Sequence, residues 1–337
     1  MSGKMIYREL GKSGIKASVV GLGTFAIGGW FWGGTDETSA IRAIEQSIDL
    51  GVNLIDTAPI YGFGVAERIV GKAIKGKRDK VVVATKVGLR WDTEKGRFDG
   101  YADDKSPRSE PSKYKIHRYL SPESISYEIE QSLKRLGTDH IDLYQTHWQE
   151  STTPIEVTMG ALLKLQQQGK IRAIGVSNVS VDQIRQYGTV ASAQEKFSLV
   201  DRGIEKSGLA RYCVENAISI LSYFTLEQGL LTGKMSPDRV FGDGDTRASN
   251  PKFQPERIRR VNEILGTLEP YVEKYHASLA QLAISLTFHQ PGITHVLVGA
   301  RDGNQAKENA AAGTIEIDPS DIAKMNQVFA KAQETLS

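Results

Sequence analysis

Asp56, Tyr61, Lys86 and His147 are four side chains that together can deliver a proton. A phenol titrates at about 10 and is a weak acid at neutral pH. An ammonium beside it favours the phenolate, so Lys86 is expected to draw the Tyr61 value down. For Lys86 to stay charged when partly buried it needs a carboxylate, and Asp56 supplies one. His147 offers a ring N–H that can orient a carbonyl oxygen and stabilise negative charge as it develops there. The set is a general acid with the groups that tune it, suited to protonating a carbonyl oxygen while hydride reaches the carbon. None of the four can supply a hydride, so a redox cofactor is implied. No grouping of residues has metal-ligand spacing, and no metal is expected.

These residues need elements to bring them together. Short β-rich runs alternate with helix-period segments along the whole sequence, and eight runs read as strands: 18–23, 53–58, 80–86, 141–147, 171–178, 193–198, 218–225 and 295–300. The third carries an unbroken apolar centre, Val81 to Ala84, as a strand covered on both faces should. Helices are expected between them. Ser121 and Pro122 form a start signal closed by Gly137, and Thr153-Pro154-Ile155-Glu156 reads as a capping box with proline at the first helical position, in a helix running to Gly169. The stretch 88–119, rich in Gly, Asp, Ser, Pro and Lys but studded with aromatics, reads as a long ordered loop at the active-site end. With no composition break to mark a linker, residues 1–337 are expected to form a single domain, an α/β protein of the (β/α)8 TIM-barrel class with long active-site loops. In such a barrel chemistry gathers where strands end. The tails here are polar: Thr24, Asp56, Lys86, His147, Ser177 with Asn178, Gln194 and Tyr223.

Composition excludes several alternatives. The 337 residues are 40% hydrophobic and 24% charged, which suits a globular protein rather than a disordered one. A net charge of +2 without like-charge blocks implies neither nucleic acid nor an anionic membrane surface. Nothing near Met1 has the length of a signal peptide, and no eighteen apolar residues run together, so a cytoplasmic location is expected. Cys213 is the only cysteine and lies in an apolar pattern, which reads as a packed core thiol. Oligomeric state leaves no mark in the sequence.

The motifs around these residues resemble the aldo-keto reductase signatures. They are Asn53-Leu-Ile-Asp56-Thr-Ala-Pro-Ile-Tyr61-Gly, Ala84-Thr-Lys86, the run from Lys134 through Gly137 to His147, and the run from Gly169 to Ser177-Asn178. The likeness extends from about Gly11 to Asn309. The run from Tyr223 to Lys234 resembles the bacterial branch that holds methylglyoxal reductases, polyol dehydrogenases and general-stress reductases. The resemblance implies Tyr61 as acid with Asp56, Lys86 and His147 as partners, acting on a small carbonyl or polyol. It implies that Ser177, Asn178 and Gln194 hold the nicotinamide carboxamide, a group needing both donors and acceptors. Tyr223 would stack on the nicotinamide ring, Gly23 and Thr24 would lie beside the cofactor, and the backbone of Leu226, Gln228 and Leu230, with Lys234, would hold the pyrophosphate. Gly229 would permit close backbone approach.

At the adenosine end Glu308 and Asn309 fit the implied adenine contacts. Gly299 and Gln305 stand where many relatives carry Lys and Arg. Arg301 is the residue that could pair with a 2′-phosphate through a bidentate guanidinium, which favours NADP(H) and keeps NAD(H) as the alternative. Trp30, Trp32 and Trp148 are the expected substrate walls, with Tyr61 and His147 at the reacting carbonyl.

Two motifs are decoys. Gly21-Leu-Gly23-Thr-Phe-Ala26 fits a dinucleotide fingerprint, but the glycine- and tryptophan-rich run after it cannot open the helix that fingerprint requires. Asp243-Gly-Asp245 lacks the remaining ligand positions of a calcium loop and reads as a turn. Two rival functions stand beside reduction. A Schiff-base aldolase would use Lys86 as a neutral amine, which an adjacent Asp56 opposes. A nucleotide-sensing barrel without catalysis would leave the four residues idle.

Overall fold

The computed structural model describes residues 3–32, 34–103, 107–108, 113–242 and 244–336. A hairpin of β1 (Tyr7–Glu9) and β2 (Lys16–Ser18) precedes β3 (Val20–Gly23), α1 (Glu37–Asp49), β4 (Leu54–Asp56), α2 (Val65–Ala73) and β5 (Val82–Val87). Four short strands follow: β6 (Leu89–Arg90), β7 (Arg97–Ala102), β8 (Pro107–Arg108) and β9 (Tyr114–Arg118). The alternation resumes with α3 (Pro122–Leu136), β10 (Ile141–Thr146), α4 (Ile155–Gln167), β11 (Ile171–Ser177), α5 (Val181–Tyr187) and β12 (Ser192–Lys196). Then come α6 (Gly203–Lys206), α7 (Leu209–Glu215), β13 (Ser219–Tyr223), α8 (Pro255–Gly266), α9 (Glu269–Tyr275) and α10 (Leu279–Phe288). The chain closes with β14 (Ile293–Gly299), α11 (Gly303–Ala312) and α12 (Pro319–Leu336).

The eight runs expected as strands become β3, β4, β5 and β10 to β14, paired in parallel and closed into a barrel by the contacts of β5 with β10 and of β14 with β3. Every residue of β5 and β10 is buried, because side chains of one face fill the barrel and those of the other meet the helices. Leu54, Val82, Ala84, Leu143, Leu221 and Leu297 pack inside the barrel. Leu10 and Ile15 from the hairpin join them and plug the end where the strands begin. That hairpin was not legible as β structure, since its strands are three residues each.

Local signals set most helix starts. The Asp36 side chain accepts from the Ser39 N–H at the head of α1, and Ser121 accepts from Ser124 at the head of α3, with Pro122 in the first turn and Gly137 left-handed at its end. Ser180 with Gln183 and Ser278 with Gln281 form complete capping boxes. The expected box at Thr153 is not formed. Pro154, extended at ψ 141, is itself the capping residue, so the helix starts at Ile155 and Thr153 lies one position too early to cap it. The expected long loop is also corrected. Its described part is an antiparallel sheet in the order β6-β9-β7-β8, with residues 104–106 and 109–112 outside the described set. Tyr114 and Ile116 of β9 and Ala102 of β7 pack with Trp30, Ile60 and Tyr61, so the sheet forms a wall over the C-terminal end of the barrel.

Candidate active site

Tyr61 lies in a turn just beyond β4, pinned by a close backbone approach. A Cβ on Gly28 would come within 2.7 Å of the Tyr61 carbonyl carbon, and one on Gly62, at φ +63°, within 2.1 Å of the Gly28 oxygen. Glycine at both positions lets the loop after β3 press the tyrosine inward. Asp56 ends β4, and Lys86 projects from β5 beside it. The Lys86 ammonium donates to Asp56 Oδ2 at 2.7 Å, the Thr57 carbonyl at 2.9 Å and Tyr61 Oη at 3.2 Å. Its three protons thus have three acceptors. His147 follows β10, its backbone N–H bonded to the Val87 carbonyl, and its ring stands edge-on to Tyr61 with centroids 5.8 Å apart.

Electrostatics separates the roles. Burial works against the Lys86 charge, but Asp56 and then Tyr61 outweigh it, and the lysine is held above its ordinary value. For Tyr61 the expected lowering is not found. Burial is the largest influence and raises the phenol, Lys86 pulls it down, Asp56 pushes it up again, and the net direction is upward. The physical reason is that the ammonium arrives already neutralised by its carboxylate. His147 is pushed well below the ordinary histidine range by burial, then by Lys86 and Arg118, so its ring is neutral and carries one N–H.

A cavity of about 660 Å³ runs from Tyr61 across the strand ends. Ser177, Asn178, Gln194 and Tyr223 line it and are wired to one another and to Asp56. Asn178 donates to the His147 carbonyl and to Ser177 Oγ, and its Oδ1 accepts from the Tyr223 hydroxyl at 2.7 Å. Ser177 Oγ donates to the Gln194 carbonyl, and Gln194 Nε2 donates to Asp56 Oδ1 at 2.7 Å. The polar groups beside Tyr61 therefore include amide donors and acceptors suited to a carboxamide, next to the Tyr223 ring.

Beyond β13 the backbone turns sharply. Phe224, Glu227 and Gln228 adopt left-handed φ values of +59°, +45° and +54°, followed by Gly229 at +99°. Such strain needs anchors. Glu227 provides one, accepting from Ser198 Oγ and Lys252 Nζ, and Arg247 provides another by donating to the Gln228 carbonyl. The turn brings Leu226, Gln228 and Gly229 to the cavity, while the Leu230 side chain is buried in the core behind it. Lys234 also reaches the cavity, where its ammonium pairs with Glu308 at 2.8 Å.

At the far end Gly299, Arg301, Gln305, Glu308 and Asn309 line the same cavity, with Gln305 Oε1 accepting from the Arg301 backbone N–H. Gly23 lines it as well. Thr24 is wholly buried beneath it, and Lys86 reaches it only through Tyr61 and Asp56. Trp30, Trp32 and Trp148 line the cavity too. The residues after Gly23 form turns and no helix, which disposes of the fingerprint decoy. Of the other decoy, Asp243 lies outside the described residues, and Asp245 is engaged by Arg247 at 2.7 Å. Cys213 is buried, its thiol pushed up to about 12 by burial, then by Glu195. A second depression of about 700 Å³, beside Arg78, Glu130 and Asp139, is open and holds none of the strand-end residues.

Sequence reasoning missed several cavity residues. Phe25 and Phe31 flank the tryptophans, Arg247 stacks over Trp32 at 4.8 Å, and Asp99 reaches in from β7. Gln145 was missed too, a polar residue two before His147 whose amide lies 3.4 Å from Asp56 Oδ1. Its polarity inside a buried strand was the available signal. The others had none, since they converge only through loops.

Comparison with known proteins agrees with the barrel fold. The profile described as "Aldo/keto reductase family" matches residues 19–330. The chain is similar to the aldo-keto reductase YhdN of Bacillus subtilis (strain 168), at 42% identity over 89% of this chain and 86% of that one. It is 40% identical to the NADH-specific methylglyoxal reductase of Escherichia coli (strain K12), over 95% of this chain and 97% of the relative. Among solved structures, the glycerol dehydrogenase AKR11B4 from Gluconobacter oxydans superposes with a TM-score of 0.84 at 36% identity, covering 98% of this chain and 97% of the other.

Proposed function

The chain belongs to the aldo/keto reductase family, and on that premise we propose that its cavity reduces a small aldehyde or ketone with Tyr61 as the proton donor. It is an NAD(P)H-dependent oxidoreductase that interconverts a carbonyl and an alcohol. The observation that carries the assignment of Tyr61 is its contact with Lys86. Because an ammonium has no lone pair, Tyr61 Oη can only accept from it. The phenol's own proton is left for a carbonyl oxygen in the cavity. Burial keeps that proton in place across neutral pH, which is what a donor requires. As it leaves, the phenolate forms against the Lys86 ammonium. Asp56 holds that ammonium charged, and neutral His147 turns its N–H toward the same carbonyl oxygen.

When bound, a nicotinamide supplies the hydride. The residues present fit such a group: Ser177, Asn178 and Gln194 would take the carboxamide, Tyr223 the ring, and the backbone of Leu226, Gln228 and Leu230 with Lys234 the pyrophosphate, Gly229 permitting close approach. Glu308 and Asn309 would meet adenine. Arg301 supports NADP(H), and the name of the Escherichia coli relative supports NAD(H) as the alternative. We take residues 1–337 as one domain acting in the cytoplasm. No helix among the described residues is long and apolar enough to cross a membrane. A Schiff-base role for Lys86 is disfavoured by the same geometry, since a nucleophilic amine must be neutral and this one is held charged.

Tyr61→Phe is expected to lower kcat by at least about two orders of magnitude while the cofactor still binds. Steady-state kinetics with a panel of small aldehydes, beside a fluorescence titration of NADPH, tests it. Near-normal turnover by the variant would count decisively against Tyr61 as the donor.

A further inference from the structure

The inserted sheet aims one carboxylate at the cavity. In β7, Phe98 pairs with His117 and Gly100 with Ile116, so Asp99 is an extra residue between them. Such a bulge changes which face a side chain takes, and bulges next to active sites re-aim residues in this way. Here it places Phe98 outward, its ring against those of Tyr101 and His117, and leaves Asp99 on the barrel side. There Asp99 Oδ1 lies 2.7 Å from Arg118 Nε, with the Asp99 side chain 27% exposed at the cavity wall. The Arg118 guanidinium in turn stacks on Trp148 at 4.6 Å, next to His147.

We propose that Asp99, aimed by this bulge and held by Arg118, selects carbonyl substrates that carry hydroxyl groups next to the carbonyl, small hydroxyaldehydes and hydroxyketones. The inference rests on the carbonyl-reductase reading and names its substrate class. The walls around Tyr61 are mainly aromatic, from Phe25, Trp30, Phe31 and Trp148, and aromatic rings offer hydroxyl groups no strong acceptor. A carboxylate accepts several hydrogen bonds at once. Arg118 Nε lies against one oxygen, which leaves the carboxylate further lone pairs for a donor from the cavity. The arginine also cancels most of the charge, so the wall is not a site for an ammonium group. Desolvating Asp99 beneath a substrate that cannot donate is unfavourable, which disfavours unsubstituted aldehydes. A carboxylate-bearing aldehyde meets like charge and is disfavoured as well.

The test compares kcat/KM for glyceraldehyde, propanal and succinic semialdehyde in wild type, Asp99→Asn and Asp99→Leu, with NADPH affinity measured in parallel as a control for folding. Asp99→Leu is expected to lower the glyceraldehyde-to-propanal ratio at least about tenfold, mainly through KM for glyceraldehyde. Asp99→Asn, which keeps shape and one acceptor, lowers it less. Both variants raise the relative rate with succinic semialdehyde, because Arg118 is released to its carboxylate. A ratio within twofold of wild type in both variants, with NADPH bound normally, overturns the role of Asp99 and leaves the reductase reading intact. A wild-type protein that oxidises neither NADPH nor NADH with any of the three aldehydes overturns both.

Discussion

Lys86 is best understood as a group with no freedom left. Its side chain is fully buried, and its protons are shared among Asp56, Thr57 and Tyr61. Removing one partner of such a pair leaves a buried charge without compensation, which costs roughly 3–5 kcal/mol. The arrangement therefore serves a defined proton geometry and is a poor way to gain stability. Side-chain types announced Asp56, Lys86 and His147 because polar groups are out of place at the ends of buried strands, with Tyr61 in the turn after the first of them. The direction of the Tyr61 shift was not legible, since it is a balance of burial, an ammonium and a carboxylate whose separations no spacing in the sequence reveals. Arg301 is a second case. It lines the end of the cavity proposed for adenosine, where Gly299 and Gln305 add no charge. Arg301→Ala should weaken NADPH binding about tenfold, the strength of a charge-assisted contact, and NADH binding much less. Titration of both cofactors checks this, and equal losses would remove the case for a 2′-phosphate contact.

At the scale of elements, the inserted sheet is held from below by α3. Glu128 on that helix is buried. One of its oxygens accepts from the Gly88 N–H just after β5, and the other from Ser124 Oγ, which also accepts from Arg90. Burial is the largest influence on this carboxyl and raises it to about 7, against the bond from Gly88 and the charge of Arg90. The folded protein then binds more protons at this site than the unfolded chain does, from the ordinary carboxyl range up to about 7. Stability should fall as pH rises through that window and level off above it. The size of the effect is at most about 3 kcal/mol. Glu195, raised to about 7 by burial, adds a slope of the same sign. Glu128→Gln keeps an acceptor for Gly88 and has no charge to bury. Denaturant unfolding at pH 5 and pH 8 should show a smaller loss of stability in the variant than in wild type. An unchanged difference between the two pH values would place Glu128 in a wetter setting than the structure shows. The sheet itself was read as a loop because its strands are short, polar and bulged, so the period-two pattern that marks a strand never runs long enough.

For the whole molecule, barrel closure gathers residues from distant parts of the chain onto one rim. It also leaves an open mouth at the opposite end, which the β1–β2 hairpin fills with Leu10, Ile15 and Ala17. Arg8 secures the hairpin by donating to the carbonyls of Phe288, Ile293 and Thr294. Leu10 is wholly buried, so Leu10→Ala should cost about 2–5 kcal/mol of unfolding free energy. It should leave kcat within about twofold, because plug and rim are separated by the packed barrel interior. Calorimetry and steady-state kinetics on the same preparation check both halves. A large loss of kcat in a protein that is still folded would show the plug coupled to the rim.

The sequence by itself determined the strand order, several helix starts and which four polar side chains the barrel rim would bring together. Local pattern and side-chain chemistry carry those, as at Ser121-Pro122 and in the polar tails of otherwise apolar strands. Where local rules compete, as at Thr153 and Pro154, it determined the helix but misplaced its cap. Only the tertiary structure decided that Asp99 faces the cavity, that Arg247 covers Trp32, and that burial outweighs an ammonium at Tyr61. Those outcomes depend on distances between segments far apart in the chain, and on how much water their packing excludes. Neither quantity is written in any local run of residues.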